Sequence, residues 1–381
     1  MNRLTRTLAV PTAALALLLT GTAQADNVVD ETDTEYERIR LVQVVGNLEH
    51  PWAVAFLPDG RKLITERARG LYLVDGGEKT RIEGVPDFQA RGQGGLLDVV
   101  LHPDYDDNGW IYLTYSKADG NRSTPALARA RLDGHRLADV EELFESNEYT
   151  SPGRHYGSRV LFLDDGSLLM TIGDRGAEPP RAQDTLDHSG TVVRLNEDGS
   201  VPEDNPFVGN DAYAPEIYSY GHRNIQGIIQ HPETGEVWAT EHGPRGGDEL
   251  NLIEPGKNYG WPTATLGRDY RTEGEFPDAE TRRHEDMTDP VFEFLPTLAP
   301  SGLAVVSGDR FPAWEGNLLA GGLRAERVLR LVIEDQTVVH AEELLHGVMG
   351  RIRDVRQGPD GHIYVLNDAS DAGLYRLEPA E

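Results

Sequence analysis

The chain has 381 residues, no cysteine and a formal charge of −28, because 64 Asp and Glu outnumber 36 Lys and Arg. The absence of cysteine excludes disulfides and thiolate metal sites, and the negative charge argues against nucleic acid or an anionic membrane as a partner. Helical periodicity is scarce after the first thirty residues, whereas 41 Gly and 23 Pro divide the chain into short segments. This pattern favours many short strands joined by turns, and 38% hydrophobic residues suffice for a large core.

The N-terminus has the three parts of a secretory signal. Arg3 and Arg6 form a positive segment, residues 8–19 an apolar one, and Ala-Gln-Ala at 23–25 a small-residue cleavage site. The alternative is a membrane anchor, but the apolar segment is shorter than a spanning helix requires. We therefore predict that residues 1–25 are removed and that the mature protein is periplasmic or secreted, without membrane insertion.

One pattern recurs six times: an apolar run, a turn rich in Pro, Asp and Gly, and a second apolar run. Each copy is a β-hairpin signal, and a spacing of about 45 to 80 residues is typical of propeller blades with long loops. The sequence thus predicts an all-β fold, a six-bladed β-propeller of four-stranded antiparallel blades over residues 26–381. Either residues 38–45 or residues 373–379 are expected to complete a blade and close the ring. The six copies lie at residues 52–66, 96–115, 159–174, 225–242, 301–323 and 352–368.

Unusual polar residues fall directly before or after these hairpins, where the loops of a propeller converge on one end of the central channel. Arg351 and Arg353 are two positions apart at a strand start, so both are expected on one face. Several guanidinium groups in one place suit a ligand with several carboxylates, although each Arg could instead pair with a nearby acid. The residues with this placement are Gln93, His155, Asp174, Arg223, Asn224, Arg324, Arg351 and Arg353.

His155 stands just before a predicted strand, between Gly153 and Gly157. A single His is usually structural, but an imidazole at a loop end can accept a proton from a substrate hydroxyl near neutral pH. His155 is therefore the candidate general base.

The segment EHGPRGGDELN at residues 241–251 follows an apolar run. Gly243 permits the backbone to turn and Pro244 fixes the turn, which leaves their carbonyl oxygens outward. Carbonyl and carboxylate oxygens are hard ligands that suit Ca²⁺. Glu249, with Tyr259, could hold a second ion or brace the loop. The alternative is a tight turn whose side chains are satisfied among themselves.

With these motifs the chain resembles the soluble PQQ-dependent aldose sugar dehydrogenase and soluble glucose dehydrogenase family. Three segments carry the resemblance in this order: YGHRNIQG (220–227), EHGPRGGDELN (241–251) and GRIRDV (350–355). Members of the family are six-bladed propellers that bind pyrroloquinoline quinone (PQQ), which has three carboxylates, together with calcium. The resemblance implies oxidation of the anomeric carbon of aldose sugars to lactones, with hydride transfer to PQQ and electrons passed to an external quinone or redox protein.

The resemblance also implies roles for individual residues. His155 is implied as the general base, Asp174 as the carboxylate that orients it, and Arg223 as the cation that stabilises charge on the quinone oxygen. The implied cofactor contacts are Gln93, Gln183, Arg223, Asn224, Tyr270, Arg324, Arg351 and Arg353. The implied calcium ligands are the carbonyl groups of Gly243 and Pro244, with Glu249 and Tyr259 at a further calcium position.

The chain departs from the family pattern at two of these positions. The family often has Lys where this chain has Arg324, and the register of Gln183 in RGAEPPRAQD is not fixed by its neighbours. Two other classes stay open. A calcium-dependent lactonase would require a ring of carboxylates and amides on the ion, and a non-catalytic propeller that binds sugars or proteins would bind no cofactor. We expect a monomer or a weak dimer.

Overall fold

The computed structural model describes residues 27–380, which form six antiparallel sheets arranged as a β-propeller. The secretory signal predicted at residues 1–25 lies outside the described residues. Each of the six predicted hairpins forms the two inner strands of one blade, and this confirms the predicted six blades of four strands. Among residues 27–380, no helix has the length and apolar character of a membrane span.

Blades 1 and 2 follow two N-terminal strands, β1 (Val28–Asp33) and β2 (Arg38–Leu48). Blade 1 contains β3 (Pro51–Phe56), β4 (Lys62–Glu66), β5 (Gly70–Asp75) and β6 (Glu78–Ile82). Blade 2 contains β7 (Leu96–Leu101), β8 (Trp110–Asp119), β9 (Arg122–Asp133) and β10 (Arg136–Glu145). A single helical turn, α1 (Tyr105–Asn108), lies between β7 and β8.

Blades 3 to 5 are again built from four consecutive strands. Blade 3 contains β11 (Val160–Phe162), β12 (Leu168–Ile172), β13 (Thr191–Leu195) and β14 (Ile217–Tyr220). Blade 4 contains β15 (Ile225–Gln230), β16 (Val237–Glu241), β17 (Asp248–Leu252) and β18 (Phe292–Phe294). Blade 5 contains β19 (Pro300–Val305), β20 (Leu318–Gly322), β21 (Arg327–Glu334) and β22 (Thr337–Leu344). Short 3-10 helices occupy Pro179–Gln183 and Pro312–Trp314.

Blade 6 joins the two ends of the chain. It contains β23 (Ile352–Gln357), β24 (Ile363–Asn367) and β25 (Ala372–Pro379), and β2 pairs with β25 as its fourth strand. β1 adds a fifth strand outside β2. Both terminal segments therefore close the ring together, where the sequence predicted that one of them would suffice.

The apolar core lies between neighbouring blades. Within residues 27–380 there are six buried clusters, and each joins two adjacent sheets; for example, Trp52 of blade 1 packs with Leu97 and Leu113 of blade 2. The inner strands are buried along nearly their whole length, as in Pro51–Phe56, whereas outer strands such as Thr337–Leu344 are mostly polar and exposed. This packing holds all six inner strands in one ring around the channel.

The ring brings one end of every inner strand to the same place. In β3, β7, β15, β19 and β23 the pairing register shifts near the first residues of the strand. Bulges of this kind re-aim side chains and are common next to active sites. The loops before the inner strands, together with those after the second strands, therefore point their side chains into one mouth of the channel.

Candidate active site

A cavity of about 290 Å³ occupies this mouth of the channel. Its polar lining comes from the starts of the inner strands and the ends of the second strands, as the placement of the polar residues predicted. Four predicted site residues lie on its wall, namely Gln93, Asn224, Arg351 and Arg353. The sequence analysis did not single out the other polar residues of the wall, which are His50, Trp52, Arg67, Tyr156, Gln226, His242 and Asp368.

A larger cavity of about 430 Å³ opens at the opposite end of the channel, but its wall is mostly aliphatic. An ion network forms the charged part of this wall. Arg159 lies 2.9 Å from Asp354, and Arg356 contacts both Asp354 and Asp98. Because two cations and two carboxylates balance each other there, this network leaves no net charge for a ligand. We assign the candidate site to the smaller cavity, where the cations are in excess.

Neither His155 nor Asp174 lines this cavity, but the two form a hydrogen-bonded pair beside it that is joined to the wall through Gln93. The Nδ1 atom of His155 lies 2.6 Å from Oδ1 of Asp174, and the backbone N–H of His155 donates to Oε1 of Gln93 at 2.7 Å. His155 has φ of +51°, a left-handed backbone conformation that is uncommon for residues other than Gly. Such local strain persists only where the surroundings fix it, and it is frequent at functional sites.

Burial and a nearby cation favour the neutral form of the imidazole. Burial and the nearby Arg223 guanidinium lower the pKa of His155 below its usual value, against the opposing effect of Asp174. Burial disfavours ionisation of Asp174, but His155 and Arg223 outweigh it and hold the pKa of the carboxyl below its usual range. A neutral His155 that donates Nδ1–H to an ionised Asp174 leaves Nε2 as a proton acceptor.

Arg223 lies beside the pair and is almost fully buried. Its Nη1 donates to the carbonyl of His242 at 3.1 Å, while its buried Nε has no hydrogen-bond partner within the described residues 27–380. The side-chain oxygen of Asn224 accepts the backbone N–H of Gly157 at 3.1 Å, which ties the loop of His155 to the start of β15. An unpartnered N–H on a buried guanidinium is a donor available to an anionic ligand.

Arg351 and Arg353 meet at Asp368, which follows β24. Arg353 is 7% exposed and donates to Asp368 Oδ2 at 3.0 Å, and Arg351 lies 3.4 Å from the same oxygen. His50 contacts the other oxygen at 2.8 Å. Burial disfavours ionisation of Asp368, but Arg353 and His50 lower the pKa of this carboxyl far below its usual range. The two arginines thus lie on one face, as predicted. The single carboxylate of Asp368 is the counter-ion of both guanidinium groups.

In the loop after β16, the backbone of another segment approaches Gly243 closely. A Cβ atom at this position would lie 2.1 Å from the carbonyl oxygen of Gly247, so any other residue would clash. The backbone N–H of Gly243 donates to Asp248 Oδ1 at 3.1 Å. Among residues 27–380, no hydrogen bond is made to the carbonyl oxygen of Gly243 or Pro244. Glycine is needed here for space, since its φ is not in the left-handed region.

Two carboxylates, the buried Glu241 and the half-buried Glu249, face each other in the strands that flank this loop. Glu249 of β17 pairs directly with Glu241 of β16. Glu241 accepts from Nδ1 of His222 at 2.9 Å, whereas Glu249 accepts from Asn251 at 3.2 Å. Burial and then the charge of Glu241 raise the pKa of Glu249 well above its usual value. Within the described part of the chain, the buried side-chain oxygen of Asn251 has no hydrogen-bond partner. Together with the carboxylates of Glu241 and Glu249, it forms a group of oxygen atoms that suits a cation.

Ten of the predicted residues do not line the cavity, among them Gln183, Tyr259, Tyr270 and Arg324. The amide of Gln183 is paired with Asn258, and its nitrogen also donates to the carbonyl of Trp261 at 2.8 Å. Tyr259 is buried and its hydroxyl donates to the carbonyl of Leu252. Tyr270 is 60% exposed, and Arg324 is exposed as well. Their contacts with a cofactor or an ion stay predictions.

Of the seven polar wall residues that were not predicted, His50, Arg67 and Asp368 follow the same placement rule as the predicted ones. His50 directly precedes β3 and Arg67 directly follows β4, just as Gln93 precedes β7 and Asp174 follows β12. Applying the rule to the first and last blades would have found His50, Arg67 and Asp368. Nothing local marks Gln226, which lies within a strand.

Comparison with known proteins connects this site to one family. A sequence model described as Glucose / Sorbosone dehydrogenase matches residues 48–376. The aldose sugar dehydrogenase YliI of Escherichia coli is 40% identical over 338 residues, which cover 87% of this chain and 91% of that protein. The quinoprotein glucose dehydrogenase B of Acinetobacter calcoaceticus is 27% identical over 413 residues, which cover 86% and 85%. The PQQ-bound aldose sugar dehydrogenase structure from Streptomyces coelicolor has a TM-score of 0.75 and 28% identity, and covers 92% of this chain and 98% of that one. The chain belongs to the glucose and sorbosone dehydrogenase family, which confirms the resemblance carried by its motifs.

Proposed function

We propose that the protein oxidises aldose sugars at the anomeric carbon to lactones, with PQQ and Ca²⁺ as cofactors. The observation that carries the proposal is the His155–Asp174 pair, which is hydrogen-bonded through Gln93 to the wall of a cavity rich in arginine. A relative named as a quinoprotein and a PQQ-bound structure of similar fold support the same cofactor.

The cavity fits a ligand with several carboxylates. Arg351 and Arg353 share the carboxylate of Asp368, and their other contacts, to the carbonyl of Leu323 and to the side chain of Gln226, are long at 3.4 and 3.5 Å, so an anion in the cavity could compete for these N–H groups. Arg223 adds a buried N–H without a partner. Asn224 and Gln93 supply amide groups on the wall, and Gln183, Tyr270 and Arg324 are proposed as further contacts. When bound, PQQ supplies the quinone that takes up two electrons and the hydrogen of the anomeric carbon.

The chain itself supplies proton transfer and positioning. Nε2 of His155 would accept the proton of the anomeric hydroxyl, which makes departure of the C1 hydrogen as hydride favourable. Asp174 holds the ring through Nδ1 and stabilises the imidazolium that forms. Arg223 would stabilise the negative charge that develops on an acceptor oxygen.

The loop after β16 would hold calcium through backbone oxygens. The carbonyl groups of Gly243 and Pro244 lack protein donors, which leaves both oxygens available to a cation. Glu249 would bind a further ion, with Tyr259 of the same region, because a cation there would relieve the repulsion between Glu249 and Glu241. Among residues 27–380 no group of three or more His, Asp or Glu side chains has metal-binding geometry, so backbone oxygens are essential to this assignment.

The remaining proposals concern the surroundings of the enzyme. We propose a periplasmic or secreted location, an external quinone or redox protein as electron acceptor, and a monomer or weak dimer. The lactonase alternative calls for a ring of carboxylates, whereas the wall of this cavity combines arginines and imidazoles with the carboxylate of Asp368.

Dye reduction by the purified apoprotein tests the proposal. We expect turnover with aldoses only when PQQ and Ca²⁺ are added together, because the site needs the quinone for electrons and the cation to polarise it. PQQ alone, Ca²⁺ alone and sugar-free samples are the controls. PQQ binding without turnover on any aldose would redirect the proposal to other alcohols, and absence of PQQ binding would favour a non-catalytic propeller.

The pH dependence follows from the shifted pKa of His155. Only the neutral imidazole can accept a proton, so activity should fall as the pH decreases through the pKa of His155. Because burial and Arg223 lower this pKa, kcat/KM should keep its plateau to a pH below the ordinary histidine value of about 6.5. A profile that already declines above that value would contradict a buried, neutral base.

A further inference from the structure

Trp261 contacts the catalytic pair from a loop far along the chain. Its indole Nε1–H donates to Oδ2 of Asp174 at 2.8 Å, although the two residues are 87 positions apart. Trp261 lies in the long connection between β17 and β18 and is only 5% exposed. A buried hydrogen bond to a carboxylate is among the stronger ones in proteins.

The indole is fixed by contacts that do not involve Asp174. The backbone N–H of Trp261 donates to the carbonyl of Gly221 at 2.8 Å, and its own carbonyl accepts from Gln183 at 2.8 Å. The ring lies 4.7 Å from the ring of Phe276, and the guanidinium of Arg223 lies 5.3 Å from it. Trp261 is therefore held rigidly as a hydrogen-bond donor. It contacts Gln183, Arg223 and Asp174, each through a different group.

The two oxygens of Asp174 have separate partners. Oδ1 contacts Nδ1 of His155 at 2.6 Å and accepts the backbone N–H of Gly176 at 2.7 Å. Oδ2 accepts from Trp261. Since Oδ1 is held on the side of the imidazole, the bond to Oδ2 fixes the rotation of the carboxylate plane.

We propose that Trp261 is a positioning residue that locks the carboxylate of Asp174 in the orientation that keeps the proton of His155 on Nδ1. This inference rests on the proposed function, because Nε2 of His155 acts as a base only in that tautomer. Neutral histidine in water prefers the proton on Nε2, so the protein must impose the other form. Without the indole N–H the carboxylate can rotate, and the ring can return to a tautomer whose Nε2 carries a proton and cannot accept another.

The chain offers a matched control for loss of an indole N–H. Trp314 is fully buried like Trp261, but its Nε1 has no hydrogen-bond partner. Trp261→Phe and Trp314→Phe therefore remove the same atoms from buried positions, and only the first removes a hydrogen bond to Asp174. Both variants keep an aromatic ring, so contacts of the ring face are preserved.

Two measurements on these variants test the proposal. In ¹⁵N-histidine-labelled apoprotein, the ring nitrogens of His155, assigned by their loss in His155→Asn, should report Nδ1–H in the wild type and in Trp314→Phe. Trp261→Phe should show a mixture with Nε2–H. In PQQ-loaded enzyme, Trp261→Phe should lower kcat by about 10- to 100-fold, as loss of a residue that orients a catalytic group typically does, with KM for the sugar little changed.

Two results would overturn the inference. One is an unchanged His155 tautomer in folded Trp261→Phe, and the other is a loss of kcat equal to that in Trp314→Phe. If Trp261→Phe does not fold, benzothienylalanine at position 261 replaces the indole N–H by sulfur at nearly the same volume. The ring nitrogen spectra of His155 in that variant then show whether the tautomer depends on the N–H. If the wild type oxidises no sugar, the proposed function fails, but the ring nitrogen spectra of the apoprotein still decide the role of Trp261.

Discussion

Replacing His155 with Asn is expected to lower kcat for aldose oxidation by about 10²- to 10⁴-fold, the contribution typical of a positioned general base. Asn tolerates the left-handed backbone conformation of residue 155, so the loop should keep its shape. The affinity for PQQ should stay close to that of the wild type, because the arginines that would bind it are untouched. Steady-state dye reduction and an absorbance titration with PQQ measure the two quantities.

The buried histidine His231 provides the control for this substitution. His231 lies outside the cavity and contacts the carbonyl of Gly316 at 3.3 Å. His231→Asn should leave kcat within about twofold of the wild type, as expected of a residue without a role in proton transfer. If His155→Asn turned over sugar as fast as His231→Asn, then His155 would not be the base.

Replacing Asp368 with Asn is expected to destabilise the apoprotein by about 3–5 kcal/mol, the cost of leaving a buried charge without its partner. Arg353 would be that charge, since it is buried and Asp368 is its ion-pair partner at 3.0 Å. PQQ, as an anion, should restore part of the loss, so the variant should gain more stability from PQQ than the wild type gains. Urea unfolding of both proteins, with and without PQQ, measures the free energies of unfolding.

The pH dependence of this stabilisation has a defined sign. Arg353 and His50 outweigh burial and keep the pKa of Asp368 low in the folded state. The ionised carboxylate therefore stabilises the protein at pH values above the usual carboxyl pKa of about 4, and this stabilisation is lost on acidification. Asp33→Asn is the matched control, because its contact with Arg38 is exposed and should contribute less than about 1 kcal/mol. Equal effects of the two substitutions would contradict the assignment of Asp368 as the counter-ion of the cavity.

The fold followed from local patterns in the sequence because each blade repeats them. Apolar runs with a Pro, Asp and Gly turn predicted every inner hairpin, since the turn chemistry lies within a few residues of both strands. The closure of blade 6 was harder to predict from the sequence than the inner hairpins were. Both β2 and β25 were candidates for the closing strand, and only the three-dimensional pairing shows that they lie side by side in one sheet.

The candidate site was predictable where it follows the hairpins and less so elsewhere. Gln93, His155, Asp174 and Arg353 stand at fixed places relative to inner strands, so the fold alone brings them together. Trp261 could not be found in this way, because it lies in a long connection and reaches Asp174 only through the path of that loop.

Burial was a second property that the sequence could not supply. Asp368 is one of 64 acidic residues, and its sequence neighbours do not show that it lies between two arginines. Gly243 was expected to permit a turn, whereas the structure shows that it makes room for the carbonyl of Gly247. In both cases the decisive contact comes from a segment whose position depends on the whole loop or blade.

A single-turnover experiment tests the central claim most directly. The apoprotein is titrated with PQQ in the presence of Ca²⁺, and one equivalent of an aldose is then added without any electron-accepting dye. We predict binding of one PQQ per chain, followed by reduction of the bound quinone and formation of one equivalent of lactone, with a much slower reaction in His155→Asn. A bound quinone whose spectrum is unchanged by every aldose, or a chain that binds no PQQ, would contradict the assignment of this cavity as the active site of a PQQ-dependent sugar dehydrogenase.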